Sequence, residues 1–198
     1  MLIEPTLLFE YGATIENYEA SEIIFTEGSR PKYYYQLTSG RVKLNHIDIN
    51  GKEFIQTILT IGQSVCELML FIDESYPVNA ISLVPSSALK IKKENFLNLI
   101  NDHHKVSLDI NKFLAERLYQ KFLMLHSNSS LDPEVRLMGV LRYLKSFTES
   151  KTPHSFEVLF TRQELASLTG LRVETVIRTV KKMEEKNILQ IKNRKIHF

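Results

Sequence analysis

The stretch FTRQELASLTGLRVETVIRTVKKMEEKNIL, residues 160–189, decides the fold of the C-terminal part of the chain. Two helices that cross closely need a small residue at their contact, and Ala166 supplies it. The tight turn between them needs a residue that accepts a positive φ, and Gly170 follows four residues later. Val176 is placed to fill the core between the helices. The spacing predicts a helix-turn-helix whose second helix covers about residues 173–186.

Residues within this stretch and on both sides of it predict further elements of the same domain. Thr161, with Glu164 three residues later, predicts a capping box at the start of the first helix. ILQIKNRKIHF, residues 188–198, predicts two strands around a basic turn, which would form a wing. FEVLF, residues 156–160, predicts a further short strand, and Asp132-Pro133-Glu134 predicts the start of an earlier helix. The C-terminal part is therefore expected to be a winged helix-turn-helix.

Upstream of this region, from about residue 94 to residue 127, the chain contains no glycine or proline. Apolar residues recur there every three to four positions, which is typical of one face of a long helix. A helix of about 23 residues spans roughly 35 Å. Its apolar face either packs on its own domain or pairs with a second copy of the chain. The residues of this face are Val106, Ile110, Phe113, Leu114, Leu118, Phe122 and Leu125.

The first hundred residues show a different periodicity. Four glycines between positions 28 and 62 are spaced 11 or 12 residues apart, with aromatic and branched residues between them. RVKLNHI, residues 41–47, alternates apolar and polar side chains with period two, as a half-buried strand does. Asn50-Gly51 is a hairpin signal, because both residues tolerate positive φ. Regular turns at this spacing predict a small all-β domain over residues 15–92, an antiparallel barrel or sandwich.

The charge of the chain also differs between the first hundred residues and the rest. The formal net charge of the 198 residues is +2. Residues 1–100 contain 8 Lys/Arg and 12 Asp/Glu, which gives a net charge of −4. Residues 101–198 contain 17 Lys/Arg and 11 Asp/Glu, which gives a net charge of +6. Basic tails are common by chance, but this positive half coincides with the helix-turn-helix, which favours nucleic acid as a partner.

A membrane protein is not expected. No apolar run approaches the roughly 18 residues that a membrane-spanning helix needs. The N-terminus MLIEPTLLFEYGA has no basic start and carries Glu4 and Pro5, so it does not fit a signal peptide. We therefore expect a cytoplasmic protein with no membrane partner.

The three regions, in this order, resemble the Crp/Fnr family of transcription regulators. Residues 160–189 resemble the family's DNA-binding motif, and EGSRPKYYYQLTSGRVKL (27–44) and IGQSVCELMLF (61–71) resemble the two signatures of its sensor. The resemblance implies an α+β fold: an N-terminal double-stranded β-helix (a cyclic-nucleotide-binding-like β-roll), a long dimerisation helix and a C-terminal winged helix-turn-helix. The corresponding boundaries are residues 1–100 for the sensor, 101–127 for the helix and 128–198 for the DNA-binding domain.

The resemblance also implies partners and residue roles. The family forms homodimers through the long helix, binds near-palindromic double-stranded operators and contacts RNA polymerase. Glu174 matches the position that accepts a hydrogen bond from cytosine, Arg178 matches the position that reads guanine, and Ile177 could touch a thymine methyl. The expected half-site therefore contains the step GA, read as TC on the other strand. The positions that match contacts to the DNA backbone are Thr161, Arg162, Gln163, Arg172, Thr175 and Arg194.

The sensor departs from the family's cyclic-AMP pattern. Cyclic nucleotide sites of the family combine a Gly-Glu pair with a downstream Arg-Ser pair. Here the first pair is Cys66-Glu67, the second falls near residues 76–78, and no arginine lies between Arg41 and Arg117. A buried cyclic phosphate needs a paired cation, so the sequence argues against cyclic AMP and leaves an apolar effector, or none, as alternatives. The candidate pocket residues are Leu59, Val65, Cys66, Glu67, Leu68 and Tyr76.

No cofactor is expected. A single cysteine excludes an iron–sulfur cluster, which needs about four thiolates, and the chain has no zinc-ligand spacing. Haem stays open, with His46 and Cys66 as candidate ligands of its iron. An enzyme is not expected either, because the sequence has no nucleophile elbow, P-loop or dinucleotide loop. The alternative function is a cyclic-nucleotide-sensing module that regulates a partner protein, although such a module does not need a winged helix.

Overall fold

A computed structural model describes residues 3–51, 53–72, 74–146, 148 and 152–198. The chain forms two compact units, Met1–Ala115 and Glu116–Phe198, and the helix His104–Asn128 crosses the division between them. The α+β fold class predicted from the sequence is confirmed. Within the described ranges, no helix combines the length and the apolar character that a membrane crossing requires.

The first unit consists mainly of strands. They are β1 (Thr14–Tyr18), β2 (Ile23–Phe25), β3 (Tyr33–Ser39), β4 (Val42–Ile47), β5 (Glu53–Leu59), β6 (Asn79–Ser82) and β7 (Ser86–Lys92). Helices precede, interrupt and follow these strands: α1 (Pro5–Glu10), a short 3₁₀ helix (Glu67–Leu70), α2 (Lys93–Asp102) and α3 (His104–Asn128).

Two antiparallel sheets form the β-roll that the sequence predicts. One sheet has the strand order β1-β7-β3 and the other the order β2-β6-β4-β5. The hairpin predicted at Asn50-Gly51 is confirmed, since β4 pairs with β5 in antiparallel register from the Val42–Leu59 pair onward. Gly51 has a φ of 76°, the conformation that favours glycine in a tight turn.

Strand β3 contributes to two hydrophobic cores, because alternate side chains of a strand point to opposite faces. Tyr35 and Leu37 enter a core that gathers side chains from both sheets. Tyr34 points the other way, into a second core beneath α1, α2 and the first half of α3. There it stacks on Phe96 with ring centroids 4.4 Å apart. Strand β3 therefore joins the core between the sheets to the core beneath the helices.

The buried side chain of Gln36 holds the N-terminal segment on this second face of β3. Its amide oxygen accepts a hydrogen bond from the Ile3 N–H at 2.9 Å, and its amide nitrogen donates to the Ile3 carbonyl at 2.8 Å. The Tyr34 hydroxyl donates to the same amide oxygen at 2.8 Å. Pairing of this kind is required of an amide that is fully buried.

The second unit is the predicted winged helix-turn-helix. Its elements are α4 (Pro133–Ser146), β8 (Glu157–Val158), α5 (Arg162–Thr169), α6 (Val173–Glu185), β9 (Gln190–Lys192) and β10 (Lys195–His197). The three strands form a sheet in the order β8-β10-β9. Strand β8 is shorter than FEVLF predicts, because only Glu157 and Val158 pair with β10.

Helices α5 and α6 meet as the sequence predicts. Ala166 and Val176 are both buried in their shared core. Gly170 ends α5 in the left-handed conformation with a φ of 69°. The Leu171 N–H donates to the Ala166 carbonyl, which satisfies one of the last carbonyl groups of α5.

The turn between β3 and β4 requires glycine. Gly40 has a φ of 82°, and a Cβ there would lie 2.6 Å from the Ser86 Cα and 2.1 Å from its Oγ. We expect Gly40→Ala to lower the free energy of unfolding by about 3 kcal/mol, because both the strained φ and the backbone clash are unfavourable. Urea unfolding followed by circular dichroism measures the change.

Gly28→Ala is the matched control for this prediction. Gly28 has the same φ of 82°, but a Cβ there would meet nothing within 4 Å. This variant should lose only about 1 kcal/mol from the conformational strain. Equal losses in the two variants would contradict the steric account.

Candidate functional site

Helix α6 has one buried face and one free face. Val176, Val180 and Met183 are buried in the core of the second unit. Glu174 and Arg178, one turn apart, lie on the exposed face. Within the described ranges, neither of these two side chains has an ion-pair partner in the protein. Both are therefore available to an external partner.

One apolar and two basic side chains lie near Glu174 and Arg178 on α6. Ile177 is 43% exposed, which is high for a branched apolar residue of a packed helix. Two lysines, Lys181 and Lys182, follow Arg178 on α6, and both are exposed. Lys182 lies 3.9 Å from the Glu134 carboxylate, which offsets the charge of this lysine. Lys186 contacts the same carboxylate at 2.7 Å. Lys181 is exposed and extends the face beyond Arg178.

The capping box predicted at the start of α5 is confirmed. The Thr161 hydroxyl accepts a hydrogen bond from the Glu164 N–H at 3.1 Å. The Glu164 carboxylate accepts one from the Thr161 N–H at 2.6 Å. Because a hydroxyl both accepts and donates, Thr161 still has a proton to offer to a phosphate. The positive end of the α5 dipole favours an anion at the same place.

The wing turn lies beside the start of α5. Asn193 and Arg194 have φ values of 50° and 64°, the backbone conformation of a two-residue hairpin turn. The Arg162 guanidinium donates to the Arg194 carbonyl at 3.4 Å. The structure thus brings together the cationic residues predicted at α5 and at the wing. Lys195, at the base of the turn, pairs with Glu157 at 2.5 Å.

The other predicted backbone-contacting residues lie nearby in the same unit. Gln163 is exposed on the first turn of α5. Arg172 is the exposed N-cap residue of α6, and its side chain does not cap the helix. Thr175 is partly buried on the first turn of α6. Two helix N-termini and a basic hairpin together form a surface suited to phosphate groups.

Helix α3 carries apolar side chains over a wide arc, part of which is buried and part exposed. Ile110 is buried in the second core of the first unit, and Val106 and Leu114 pack against the same core. Phe113 is half-buried. Three of the seven residues predicted as one seam therefore pack against the core of the first unit.

The remaining three predicted residues face solvent. Leu118, Phe122 and Leu125 are all more than half exposed. The seven predicted residues therefore do not form one narrow face. Phe113 and Leu114 are adjacent in sequence, and each residue rotates the side-chain direction by about 100° around the helix axis. A stripe with regular spacings of three and four residues contains only exposed positions: Leu108, Asn111, Ala115, Leu118, Phe122 and Leu125.

Most of the predicted effector-pocket residues are core residues. Leu59, Val65, Cys66 and Tyr76 all belong to the core between the sheets. The residue before the 3₁₀ helix, Cys66, adopts the left-handed conformation with a φ of 58°, so the backbone keeps a shape that suits the glycine of the family signature.

The other two predicted pocket residues lie at the same 3₁₀ helix. Glu67 is only 1% exposed, whereas Leu68 is 42% exposed and points away from the core. Five of the six predicted residues are therefore buried, and Leu68 is the exception.

A groove opens elsewhere in the first unit. Its volume is about 550 Å³, and it shares only Tyr76 with the predicted pocket. Phe25 stacks on Tyr76 with ring centroids 3.7 Å apart. Sequence reasoning missed this groove, although the repeated tyrosines of KYYYQL beside the cations of GSRPK are the signal that could have found it. The lining residues are Ile23, Ile24, Phe25, Thr26, Ser29, Arg30, Lys32, Tyr33, Tyr35 and Tyr76.

The candidate metal ligands are not gathered into a site. His46 pairs with Glu27 at 2.8 Å on the surface, and Cys66 is buried in the core. In the part of the chain that the structure describes, no three His, Cys, Asp or Glu side chains are placed to hold a metal ion together.

A β-roll followed by a winged helix-turn-helix defines a class of DNA-binding transcription regulators. Models of two known domain families match the two parts of this chain. Residues 15–103 match the cyclic nucleotide-binding domain, and residues 135–198 match the Crp-like helix-turn-helix domain. The chain belongs to the Crp/Fnr family of transcription regulators. Its relatives are regulators and not enzymes, which confirms the prediction that no catalytic activity is to be expected.

Individual relatives span nearly the whole chain. The cAMP-activated global transcriptional regulator CRP of Pasteurella multocida is 28% identical over 192 residues, which cover 94% of this chain and 91% of that protein. Among solved structures, the c-di-GMP responsive regulator CLP of Xanthomonas campestris has a TM-score of 0.74 at 22% identity, with 96% of each chain covered. A CooA mutant of Carboxydothermus hydrogenoformans has a TM-score of 0.78 at 20% identity, covering 99% of this chain and 88% of that one.

The capping box at Thr161 stabilises the start of α5. We expect Thr161→Ala to lower the free energy of unfolding by about 1 kcal/mol, because the Glu164 N–H loses its acceptor. Thr161→Ser keeps the hydroxyl and should keep most of the stability. Thermal unfolding followed by circular dichroism compares the variants, and a serine variant as unstable as the alanine variant would argue against the cap.

Proposed function

We propose that this protein is a sequence-specific regulator that binds a near-palindromic operator as a homodimer and responds to an effector other than cyclic AMP. Residues 1–100 act as the sensor, 101–127 as the dimerisation helix and 128–198 as the DNA-binding domain. The observation that carries the proposal is the free face of α6, where Glu174 and Arg178 have no ion-pair partner within the described residues.

Base recognition is assigned to this free face of α6. The forked guanidinium of Arg178 suits the two acceptors of guanine in the major groove. The Glu174 carboxylate suits the amino group of cytosine, and the exposed Ile177 suits a thymine methyl. The proposed half-site contains GA, read as TC on the other strand.

Phosphate contacts are assigned to the surface around the α5 start and the wing. The Arg162–Arg194 contact places two guanidinium-bearing residues side by side, next to the Thr161 cap. Contacts of this kind position the protein on DNA without reading its sequence, and Gln163, Arg172 and Thr175 join them. Because they release counterions, operator affinity should fall steeply as salt rises.

Dimerisation is assigned to the exposed stripe of α3 that runs from Leu108 to Leu125. Its spacing of three and four residues is that of a coiled-coil seam. Asn111 is the polar residue of the stripe, and a single polar seam residue fixes register and oligomeric state at some expense of stability. A twofold axis along this seam would present two α6 helices to successive major grooves, about 34 Å apart.

The effector is proposed to differ from a cyclic nucleotide. The expected Arg-Ser pair is absent from the sequence, and the candidate pocket residues Leu59, Val65 and Cys66 are packed into the core. No resident cofactor is proposed. A DNA-bound dimer would act on RNA polymerase in the cytoplasm, as the family resemblance implies. No contact in the described residues favours the alternative, a sensing module for a partner protein.

The proposed guanine contact can be tested at Arg178. Arg178→Ala should weaken binding to a selected palindromic operator on the order of 100-fold, because each half-site loses a bidentate contact of about 1–3 kcal/mol. Fluorescence anisotropy at one fixed salt concentration measures the affinity. Arg142→Ala, which removes an exposed arginine of α4, is the control and should bind as wild type does. Unchanged affinity of Arg178→Ala would refute the assignment.

The proposed dimer seam can be tested at Phe122, which is 59% exposed. Phe122→Glu should convert the dimer to a monomer, since it places two carboxylates at the centre of an apolar seam. Leu131→Glu is the control, because Leu131 is 92% exposed and lies outside the helix. Sedimentation velocity reports the oligomeric state, and a Phe122→Glu dimer as stable as the control would exclude this seam.

A further inference from the structure

The second half of α3 belongs to the same compact unit as the helix-turn-helix. The first unit ends at Ala115, so the exposed residues Leu118, Phe122 and Leu125 are part of the second unit. The proposed dimer seam and the proposed base-reading face of α6 therefore both lie in this unit. Whatever joins α3 to the other helices of the unit sets how far α6 lies from the seam.

A close contact between helices joins α3 to α4. Gly139 is buried in the middle of α4, and a Cβ added there would overlap the Ser127 Cβ and lie 2.5 Å from its Oγ. The Ser127 hydroxyl donates to the Leu123 carbonyl at 3.0 Å, so it is bonded within its own helix. The contact is therefore one of shape, in which the missing side chain of Gly139 lets the two helices approach.

Hydrogen bonds fix the turn that connects these two helices. The Asp132 N–H donates to the Ser130 hydroxyl at 3.1 Å, and the Glu134 N–H donates to the Asp132 carboxylate at 2.8 Å, which caps α4. The Arg136 side chain donates from Nε to the Ser130 carbonyl at 2.5 Å. The first turn of α4 is thus bonded back to the segment that leaves α3.

A polar contact connects the end of α3 to α5. The Asn128 amide nitrogen donates to the Leu168 carbonyl at 3.4 Å, which gives a partner to one of the last carbonyl groups of α5. The Asn128 amide oxygen is buried without a hydrogen-bond partner in the described part of the chain. Leu168 lies two residues before Gly170, whose turn leads into α6. The last turn of α3 therefore contacts both α4 and the helix-turn-helix.

We propose that Gly139, Ser127 and Asn128 are positioning residues that set the separation of the two half-sites in the operator. They hold α4 and α5 on the part of α3 that carries the seam, and thereby hold α6 at a fixed distance from the twofold axis. Two copies related by that axis then fit one separation of half-sites. The assignment rests on the proposed function and adds to it what determines the length of the operator.

A panel of operators tests this assignment with the full-length chain. Each operator would carry two GA half-sites, and their centres would be about 8 to 12 base pairs apart in steps of one. Fluorescence anisotropy measures the affinity for each. The wild type should bind one separation at least about tenfold more tightly than the neighbouring ones, because one base pair moves a half-site by about 3.4 Å along the DNA.

Gly139→Ala should reduce this preference to less than about threefold, or move it to another separation, because the added Cβ forces α4 away from α3. Alanine is otherwise a better helix former than glycine, so α4 itself should not be weakened. Adding Ser127→Gly to this variant removes the Cβ that the new methyl group meets, and the double variant should recover the wild-type preference. Ser127→Ala keeps the Cβ and is the matched control, which should behave as wild type.

Asn128→Ala adds no atoms and covers the case in which Gly139→Ala does not fold. It should weaken the preference for one separation about threefold, because the Leu168 carbonyl loses its donor. An unchanged preference in Gly139→Ala or in Asn128→Ala, or a double variant that does not recover, would overturn the assignment. Every variant should still prefer GA within each half-site. A wild type that binds none of these operators would instead contradict the proposed function itself.

Discussion

A single chain can bury only one of the two apolar faces of α3, and the arrangement of the protein depends on this constraint. Ile110 and its neighbours attach the first half of the helix to the core of the first unit. The neighbouring stripe, which includes Leu118, Phe122 and Leu125, is left exposed in one copy of the chain. Apolar residues repeated at this spacing on a helix of 25 residues are covered by a second helix more readily than by water. In the proposed dimer, a second copy would cover this stripe with twofold symmetry, and the operator would share that symmetry.

The proposed function divides recognition between the two units. In the second unit, buried residues hold α6 in place while Arg178 and Glu174 stay free, and the Glu134–Lys186 ion pair at 2.7 Å joins α4 to the end of α6. In the first unit, Leu59, Val65 and Cys66 are packed into the core, and the groove of about 550 Å³ is lined by other residues together with Tyr76.

The features that the sequence predicts correctly are those that depend on residues close together in the chain. The capping box at Thr161, the left-handed Gly170 and the β4–β5 hairpin depend on neighbouring residues, and all three are confirmed. The two faces of α3 were not separated, since Ile110 and Phe122 are both apolar and only the packing of the first unit distinguishes them. The groove was missed for the same reason: its residues come from segments 50 positions apart, which meet only when Tyr76 stacks on Phe25.

Selection of bound DNA from a random pool tests the central claim most directly. The full-length chain would be incubated with random duplexes, and the retained sequences determined over several rounds. The account predicts a near-palindrome with a GA-containing half-site on each strand, the half-sites about 10 base pairs apart from centre to centre. Enrichment of a single asymmetric site, or of no sequence at all, would contradict a dimeric regulator that reads DNA through α6.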